Sequence, residues 1–492
     1  MSTNKTEFLN MNDWVGTDPF RREELNANFR ALDAKAKEHA DSISEVTTSL
    51  AERAKKKDVA TTTGWDWSET NKNYYFEENG QEYSVKGVPN TDTRKVVFIG
   101  SSVLYGQGAT NNMGWARLVG QNLTNKGFTV VNRGVPGSGT AYLISRFYTD
   151  VTVERPDIVV VGLNLTNEGI QTVTPIEDKR NIYLTFIKNM KKIISKIKQI
   201  GAEPIIASSY PSGAYGVDDY YFAKQINKEI ESWGVKTLNI MNIGDDGTGK
   251  WHVGITDDGL HPNDVGAATV ESSINEELFE NVWTPNPFEV VKSGGIKTGV
   301  DATNLAPLDL KTNKTIKSFT VFFKMKPNDG AGTYVFWGSR FQDSRLRNTG
   351  GTLNYTSASG ATITTTAPVS TDFRYYNIAL TYNHYTNKVK LYVDGVKAGE
   401  TTDTLNNSGF ALGGGASATY NAKNTEYKEF LLYRVPLTDQ EVKELSKGNY
   451  LRSGLEVYSP LNDYDLRQNG QIVNLAPTNS YLKINVTDLT SI

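Results

Sequence analysis

The chain has 492 residues, room for about three domains at ~150 residues each. Charged residues make up 22%, and 52 Lys+Arg against 55 Asp+Glu leave a net charge of −3, so no strong field invites nucleic acid or an anionic membrane. Cysteine is absent, which removes disulfides, zinc–thiolate sites and a cysteine nucleophile; no apolar run approaches the ~18 residues of a membrane span, and the opening MSTNKTEFLNMNDW lacks the apolar core of a secretion signal.

Residues 1–17 read as a polar leader. Asp18-Pro19 then supplies an N-cap and a first helical position, and no glycine or further proline follows up to Lys57. Leu25, Phe29, Leu32, Ala36, His39, Ile43, Val46 and Leu50 step by 4, 3, 4, 3, 4, 3, 4, the 3.5-residue repeat of a coiled coil, with His39 in the seam as a polar register position. Residues 1–57 are thus expected to be a leader and stem. Residues 58–92, with Trp65, Trp67, Tyr74, Tyr75 and Phe76, read as a small β-rich connector whose aromatics pack rather than bind.

Residues 93–283 alternate apolar runs (96–99, 129–131, 158–161, 204–207, 237–240) with helical patterns, notably 183–200, whose Phe186, Ile187, Met190, Ile193, Ile194 and Ile197 share one face. Lys188, Lys191, Lys192, Lys196 and Lys198 form its solvated face. This alternation predicts a three-layer α/β domain with a parallel sheet, whose sites lie at the carboxyl ends of the strands. From 285 to 455 the helical period gives way to short alternating strands such as 319–323 and 389–393, the latter followed by the turn Asp394-Gly395. That pattern predicts an antiparallel jelly-roll sandwich, with a short helix after Thr438 and with 456–492 as a tail that closes it.

Four pieces of chemistry fall at strand ends of the α/β segment. Lys95-Val96-Val97-Phe98-Ile99 runs into Gly100-Ser101-Ser102, a serine on a tight turn after a buried strand. Val130-Val131-Asn132-Arg133 enters a loop with Gly134, Gly137 and Gly139, where a bare backbone N–H can approach a substrate oxygen. Asn164 ends the third strand and could add an amide donor. Asp257-Asp258-Gly259-Leu260-His261-Pro262 supplies an imidazole base, with Asp258 three residues away to hold its other nitrogen.

In this order the four blocks resemble the SGNH (GDSL-type) hydrolases, a flavodoxin-like family of esterases, lipases and carbohydrate deacetylases. The resemblance implies Ser102 as nucleophile, His261 as general base and Asp258 as its partner. It also implies an oxyanion hole made of the Ser102 N–H, the Gly137 N–H and the Asn164 amide, with no metal or cofactor. Gly134 is an alternative to Gly137, and Asp257 to Asp258. Two positions depart from the family pattern: Ser101 and Leu165 stand where the family usually carries Asp.

Phe319–Pro327, then Tyr376-Asn377-Ile378-Ala379-Leu380-Thr381-Tyr382, Val389-Lys390-Leu391-Tyr392-Val393-Asp394-Gly395 and 430–442 resemble the concanavalin A-like (laminin G-type) jelly rolls. Such domains often bind glycans, sometimes with calcium, and sometimes only pack; Trp337, Tyr334 and Tyr385 are its candidate sugar contacts. Residues 8–14 and 20–33 resemble the attachment region of phage tail fibre or receptor-binding proteins, which are usually trimers. Together the resemblances imply a virion tail esterase. It would be made in the cytoplasm and join a baseplate or tail protein through its N-terminus. At the bacterial surface it would deacylate a polysaccharide as a homotrimer. The rival readings are a non-enzymatic adhesin on a degenerate scaffold and a bacterial carbohydrate esterase with an accessory binding module.

Overall fold

The computed structural model describes residues 4–5, 12–13, 30–38, 41, 66–68, 73–78, 81–85, 94–281, 288, 294–298, 308–328, 335–339, 344–349, 351–368, 372–405, 409–414, 422, 424–461, 470–472, 474–485 and 490–491. The chain divides into two compact units, 1–92 and 93–492. In the first, Asn4–Lys5 pairs antiparallel with Asn12–Asp13, and Asp66–Ser68, Asn73–Glu78 and Gln81–Val85 form a three-stranded antiparallel meander. Residues 30–38 are helical. Of the heptad positions Leu32 and Ala36 lie there, while Leu25, Phe29, His39, Ile43, Val46 and Leu50 lie outside the described residues. Among the described residues no helix is long and apolar enough to cross a membrane.

The second unit begins with a parallel sheet. Its strands are β1 (Lys95–Gly100), β2 (Thr129–Gly134), β3 (Ile158–Gly162), β4 (Glu203–Ala207) and β5 (Lys236–Leu238), in spatial order β2-β1-β3-β4-β5. Residues 96–99 and 158–161 are wholly buried, as strands covered on both faces must be. Helices α1 (Ser102–Tyr105), α2 (Trp115–Asn125), α3 (Thr140–Asp150), α4 (Ile176–Gln199) and α5 (Val217–Glu231) connect the strands and cover the sheet. Helix α4 starts seven residues before the expected 183, because Pro175 sits at its N-cap and Glu177 and Asp178 place acidic charge in its first turn. Two short helices follow, α6 (Asp264–Ser272) and α7 (Glu277–Glu280), separated where the Asn275 Oδ1 accepts the Glu277 N–H.

Three glycines end the central strands in register: Gly134, Gly100 and Gly162. A Cβ on Gly100 would lie 2.0 Å from the Gly162 carbonyl oxygen, and one on Gly134 would lie 2.6 Å from the Tyr105 nitrogen. The strand ends therefore approach one another, and α1 approaches them, at backbone distance.

From Ile296 onward the chain builds an antiparallel sandwich. One sheet runs Val396–Thr402, Lys388–Val393, Tyr376–Asn383, Phe319–Pro327, Thr425–Tyr433, Ile296–Lys297 and Thr490–Ser491, with Leu455–Ser459 also paired to Thr425–Tyr433. The other runs Thr362–Thr364, Thr352–Thr356, Arg345–Thr349, Val335–Ser339, Phe410–Leu412, Leu308–Lys311, Tyr481–Ile484 and Gln471–Ile472. The late helix is α8 (Asp439–Ser446), closed by a Thr438–Glu441 capping box.

Side chains of the parallel-sheet domain and of the sandwich share one apolar cluster that joins Phe98, Leu238, Ile240 and Phe279 to Phe322, Tyr392, Leu431 and Tyr458. Polar groups seal its edge. The buried Arg434 guanidinium pairs with the fully buried Glu456, which also accepts from Asn275 and Ser480. Lys314 donates to Glu271 and Glu276. Breaking a buried pair on one side leaves an uncompensated charge, at about 3–5 kcal/mol. Arg434→Met should therefore lower the unfolding free energy of the full chain by an amount of that order, and Arg434→Met/Glu456→Gln should recover part of the loss, as read from urea titrations followed by tryptophan fluorescence.

Candidate active site

Strand β1 ends at Gly100, and Ser101 turns the chain so that Ser102 is the first residue of α1. The Ser102 Oγ lies 2.9 Å from the His261 Nε2, and the His261 Nδ1 lies 2.6 Å from the Asp258 Oδ2. A base at Nε2 requires the proton on Nδ1, so Nδ1–H donates to Asp258 and Nε2 is free to take the serine proton. Asp258 Oδ1 accepts the backbone N–H groups of Leu260 and His261 at 2.7 and 2.8 Å. Partial burial opposes ionisation of this carboxyl, but the bonds from the His261 ring and the two amides prevail and hold its pKa down at about 2. Asp257, the alternative partner, instead accepts from the Asn263 Nδ2 at 2.9 Å.

The His261 loop is held by its neighbours. Asn263 caps α6 through Gly266, bonds the Ile255 carbonyl through its own N–H, and donates its side-chain amide to the Gly254 carbonyl. The Trp251 indole N–H donates to the Leu260 carbonyl at 3.1 Å. Gly108, at φ +95°, lets the loop after α1 pass against His261, where a Cβ would come within 2.7 Å of the His261 Cβ. Thr110 ties the same loop to Asp264 through its N–H and hydroxyl at 2.7 and 2.8 Å.

Asn164 follows β3 and is fully buried. Its Oδ1 accepts from the Leu165 N–H, the Ser209 hydroxyl and the Tyr215 hydroxyl, which fixes the orientation of the amide. Its Nδ2 donates to the Tyr210 carbonyl at 3.2 Å, a bond that uses one of its two hydrogens. Gly134 cannot serve as an oxyanion donor, because its N–H is taken by the Asn132 Oδ1 at 2.8 Å. Gly137 sits at φ +76° with open space where a Cβ would be. The two family departures are absorbed by the fold. The Ser101 Oγ lies 2.6 Å from the Tyr210 hydroxyl in a fully buried pair, and Leu165 belongs to the apolar core.

Sequence reasoning missed the layer behind these groups. Ser209, Tyr210 and Tyr215 follow β4, and their position past a strand end is the signal that could have found them. Arg146 carried no such signal: from α3 its guanidinium donates to the carbonyls of Arg133 and Gly100 and to the Ser138 Oγ, joining the β1 and β2 ends.

Of the sugar contacts expected on the sandwich, Trp337 and Tyr385 stand in packing contacts instead. Trp337 is only 2% exposed and stacks on Phe410 with centroids 4.8 Å apart, so its faces lie inside the sandwich core. Tyr385 stacks on His252, and its hydroxyl donates to the Val253 carbonyl at 2.9 Å, so it packs against the hydrolase side instead of standing free. Tyr334 lies outside the described residues. Among the described residues no group of three or more His, Cys, Asp or Glu is placed to hold a metal ion.

Residues 98–269 match the GDSL-like Lipase/Acylhydrolase family, and residues 294–443 match the Concanavalin A-like lectin/glucanases superfamily. No curated protein matches the chain. Among solved structures, a Bacteroides ovatus protein described as carbohydrate binding is 18% identical over 40% of this chain, with a TM-score of 0.31; the match spans 60% of that protein. The lipase/acylhydrolase from Enterococcus faecalis is 19% identical (37% of this chain, 92% of that one, TM-score 0.30). A catalytic mutant of an acetylxylan esterase from Geobacillus stearothermophilus is 17% identical (36% and 90%, TM-score 0.30). At these values the likenesses leave activity and substrate to be judged from the site itself. The chain carries a GDSL-type hydrolase domain followed by a concanavalin A-like, laminin G-type domain.

Proposed function

We propose that the protein is a serine esterase, and the observation that carries this reading is the continuous Ser102–His261–Asp258 relay at 2.9 and 2.6 Å. Ser102 attacks an ester carbonyl while His261 takes its proton. The Asp258 carboxylate orients the ring and stabilises the imidazolium that results. The tetrahedral oxyanion is received by the Ser102 and Gly137 N–H groups and the Asn164 amide, whose carbonyl end is already locked by three donors. His261 returns the proton to the leaving alcohol. Water then resolves the acyl-enzyme by the same route reversed.

The finer reading concerns context. The protein acts in a phage or prophage tail and removes acyl groups, acetyl foremost, from a bacterial surface polysaccharide held near the sandwich. Support comes from the heptad stem, the attachment-like residues 8–33 and the lectin-type domain beside an acyl-transfer site. Three copies on one coiled coil would add weak glycan contacts by avidity. The adhesin reading rests on Ser101 and Leu165, and neither disturbs the relay.

The test is release of acetate or a chromogenic phenol from short acyl esters. Ser102→Ala and His261→Ala should each lower kcat by about 10⁴–10⁶, and Asn164→Ala by about 10²–10³ with KM little changed. A wild-type chain inert on both model esters and host cell-wall polysaccharide would overturn the esterase reading. The pH dependence follows from Asp258. Its folded pKa of about 2 lies below its ordinary 3.8, so its stabilising bonds are intact above the ordinary value and vanish as pH falls through the folded one. The difference in Tm between wild type and Asp258→Asn should hold from neutral pH to about pH 4 and shrink between about pH 4 and pH 2. Sedimentation equilibrium of the full chain should give three copies, and Leu32→Asp with Ile43→Asp should give monomers.

A further inference from the structure

Among the described residues, the turn 383–386 of the sandwich reaches the loop that carries Asp258 and His261. The turn 383–386 joins strands Tyr376–Asn383 and Lys388–Val393, and the Asn383 Oδ1 shapes it by accepting the N–H groups of Tyr385 and Thr386. From this turn the Asn383 Nδ2 lies 3.3 Å from the His252 Nε2. The Tyr385 ring stacks on His252 with centroids 5.4 Å apart, and its hydroxyl donates to the Val253 carbonyl at 2.9 Å. Gly254 sits at φ +89°, where a Cβ would come within 2.9 Å of that same hydroxyl oxygen. Fit and hydrogen bonding thus coincide on three consecutive residues, His252 to Gly254.

Those three residues begin the loop that carries the acid and the base. The Gly254 carbonyl accepts from the Asn263 side chain, the Ile255 carbonyl accepts the Asn263 N–H, and Thr256 bridges antiparallel to Pro262. Asp258 and His261 lie inside the closed end so formed. The Val253 side chain stays 95% exposed with the sandwich in place, and the turn holds this residue through its backbone carbonyl. We propose that Tyr385 is a positioning residue of the esterase: it anchors residues 252–254 and thereby holds the 252–263 loop so that His261 meets Ser102. This inference rests on the esterase reading, and it makes the second domain a working part of the first domain's site.

The test combines hydrogen exchange with turnover in the full chain. Tyr385→Ala removes both stack and hydrogen bond; Tyr385→Phe keeps the stack. Peptides covering 252–263 should exchange about tenfold faster in Tyr385→Ala, with an intermediate change in Tyr385→Phe, while β1 peptides exchange as in wild type. On a small acyl ester kcat should fall about tenfold in Tyr385→Ala and two- to threefold in Tyr385→Phe, with KM within about twofold. Unchanged loop exchange overturns the anchoring, whatever the turnover. Faster exchange throughout the molecule, or a looser loop with kcat intact, reduces Tyr385 to a structural contact and overturns the positioning role. A wild-type chain that hydrolyses nothing defeats the esterase reading on its own, before any Tyr385 variant is compared.

Discussion

Everything at the site depends on how closely three strand ends come together. Gly134, Gly100 and Gly162 stand side by side, and the 2.0 Å separation that a Gly100 Cβ would have from the Gly162 oxygen leaves no room for any side chain. Because these positions are bare, α1 can rest on the sheet with Ser102 at its first position. The loops carrying Gly137 and Asn164 then emerge on either side of it. Arg146 adds a second tie, with one guanidinium donating to carbonyls on both β1 and β2. Ser102, Gly137 and Asn164, the proposed nucleophile and oxyanion donors, are thereby placed by backbone packing, which has few soft degrees of freedom, before any substrate arrives. The base is different in kind: it comes from a loop held by hydrogen bonds and by a glycine contact at Gly108.

Much of this was readable in the amino acids, for identifiable reasons. Buried parallel strands are continuous apolar runs, so 96–99 and 158–161 announced themselves, and a functional residue at a strand end needs only the strand to be found. Asp258 and His261 are local in sequence, so their pairing was legible from spacing. Readings failed where the determining contact is distant. Tyr215, Ser209 and Tyr210 orient Asn164 from about 45–51 residues away, a separation at which no periodicity operates. Trp337 read as a possible sugar platform because an aromatic on a strand looks the same whether its neighbour is solvent or Phe410. Tyr385 read the same way because its partner, His252, belongs to another domain. The start of α4 was misjudged because its first turn is polar, and the helix is declared there by Pro175 and its acidic neighbours instead of by an apolar stripe.

The charges follow a consistent division. At the site, Asp258 is half exposed, and bonds from the His261 ring and two backbone amides together outweigh the burial that opposes its ionisation, so it stays charged to answer the imidazolium. At the seam between hydrolase and sandwich, Glu456 is buried outright and is matched by Arg434, Asn275 and Ser480. The first arrangement sets a fixed carboxylate against a ring whose charge would change on taking the serine proton. The second serves a charge that never changes and whose loss would be felt as misfit.

The apolar cluster running from Phe98 and Phe279 to Phe322 and Tyr458 has a consequence for inheritance. Modules joined by a linker can be shuffled between genes, because each keeps its own interior after recombination. Here a crossover between the hydrolase and the sandwich would divide one interior, exposing phenylalanine and tyrosine faces and stranding Glu456 away from Asn275. Separating the two would therefore cost each of them part of its interior. Substitutions are absorbed instead in the loops that rim the sheet and the sandwich, where residues can change without reopening the shared core.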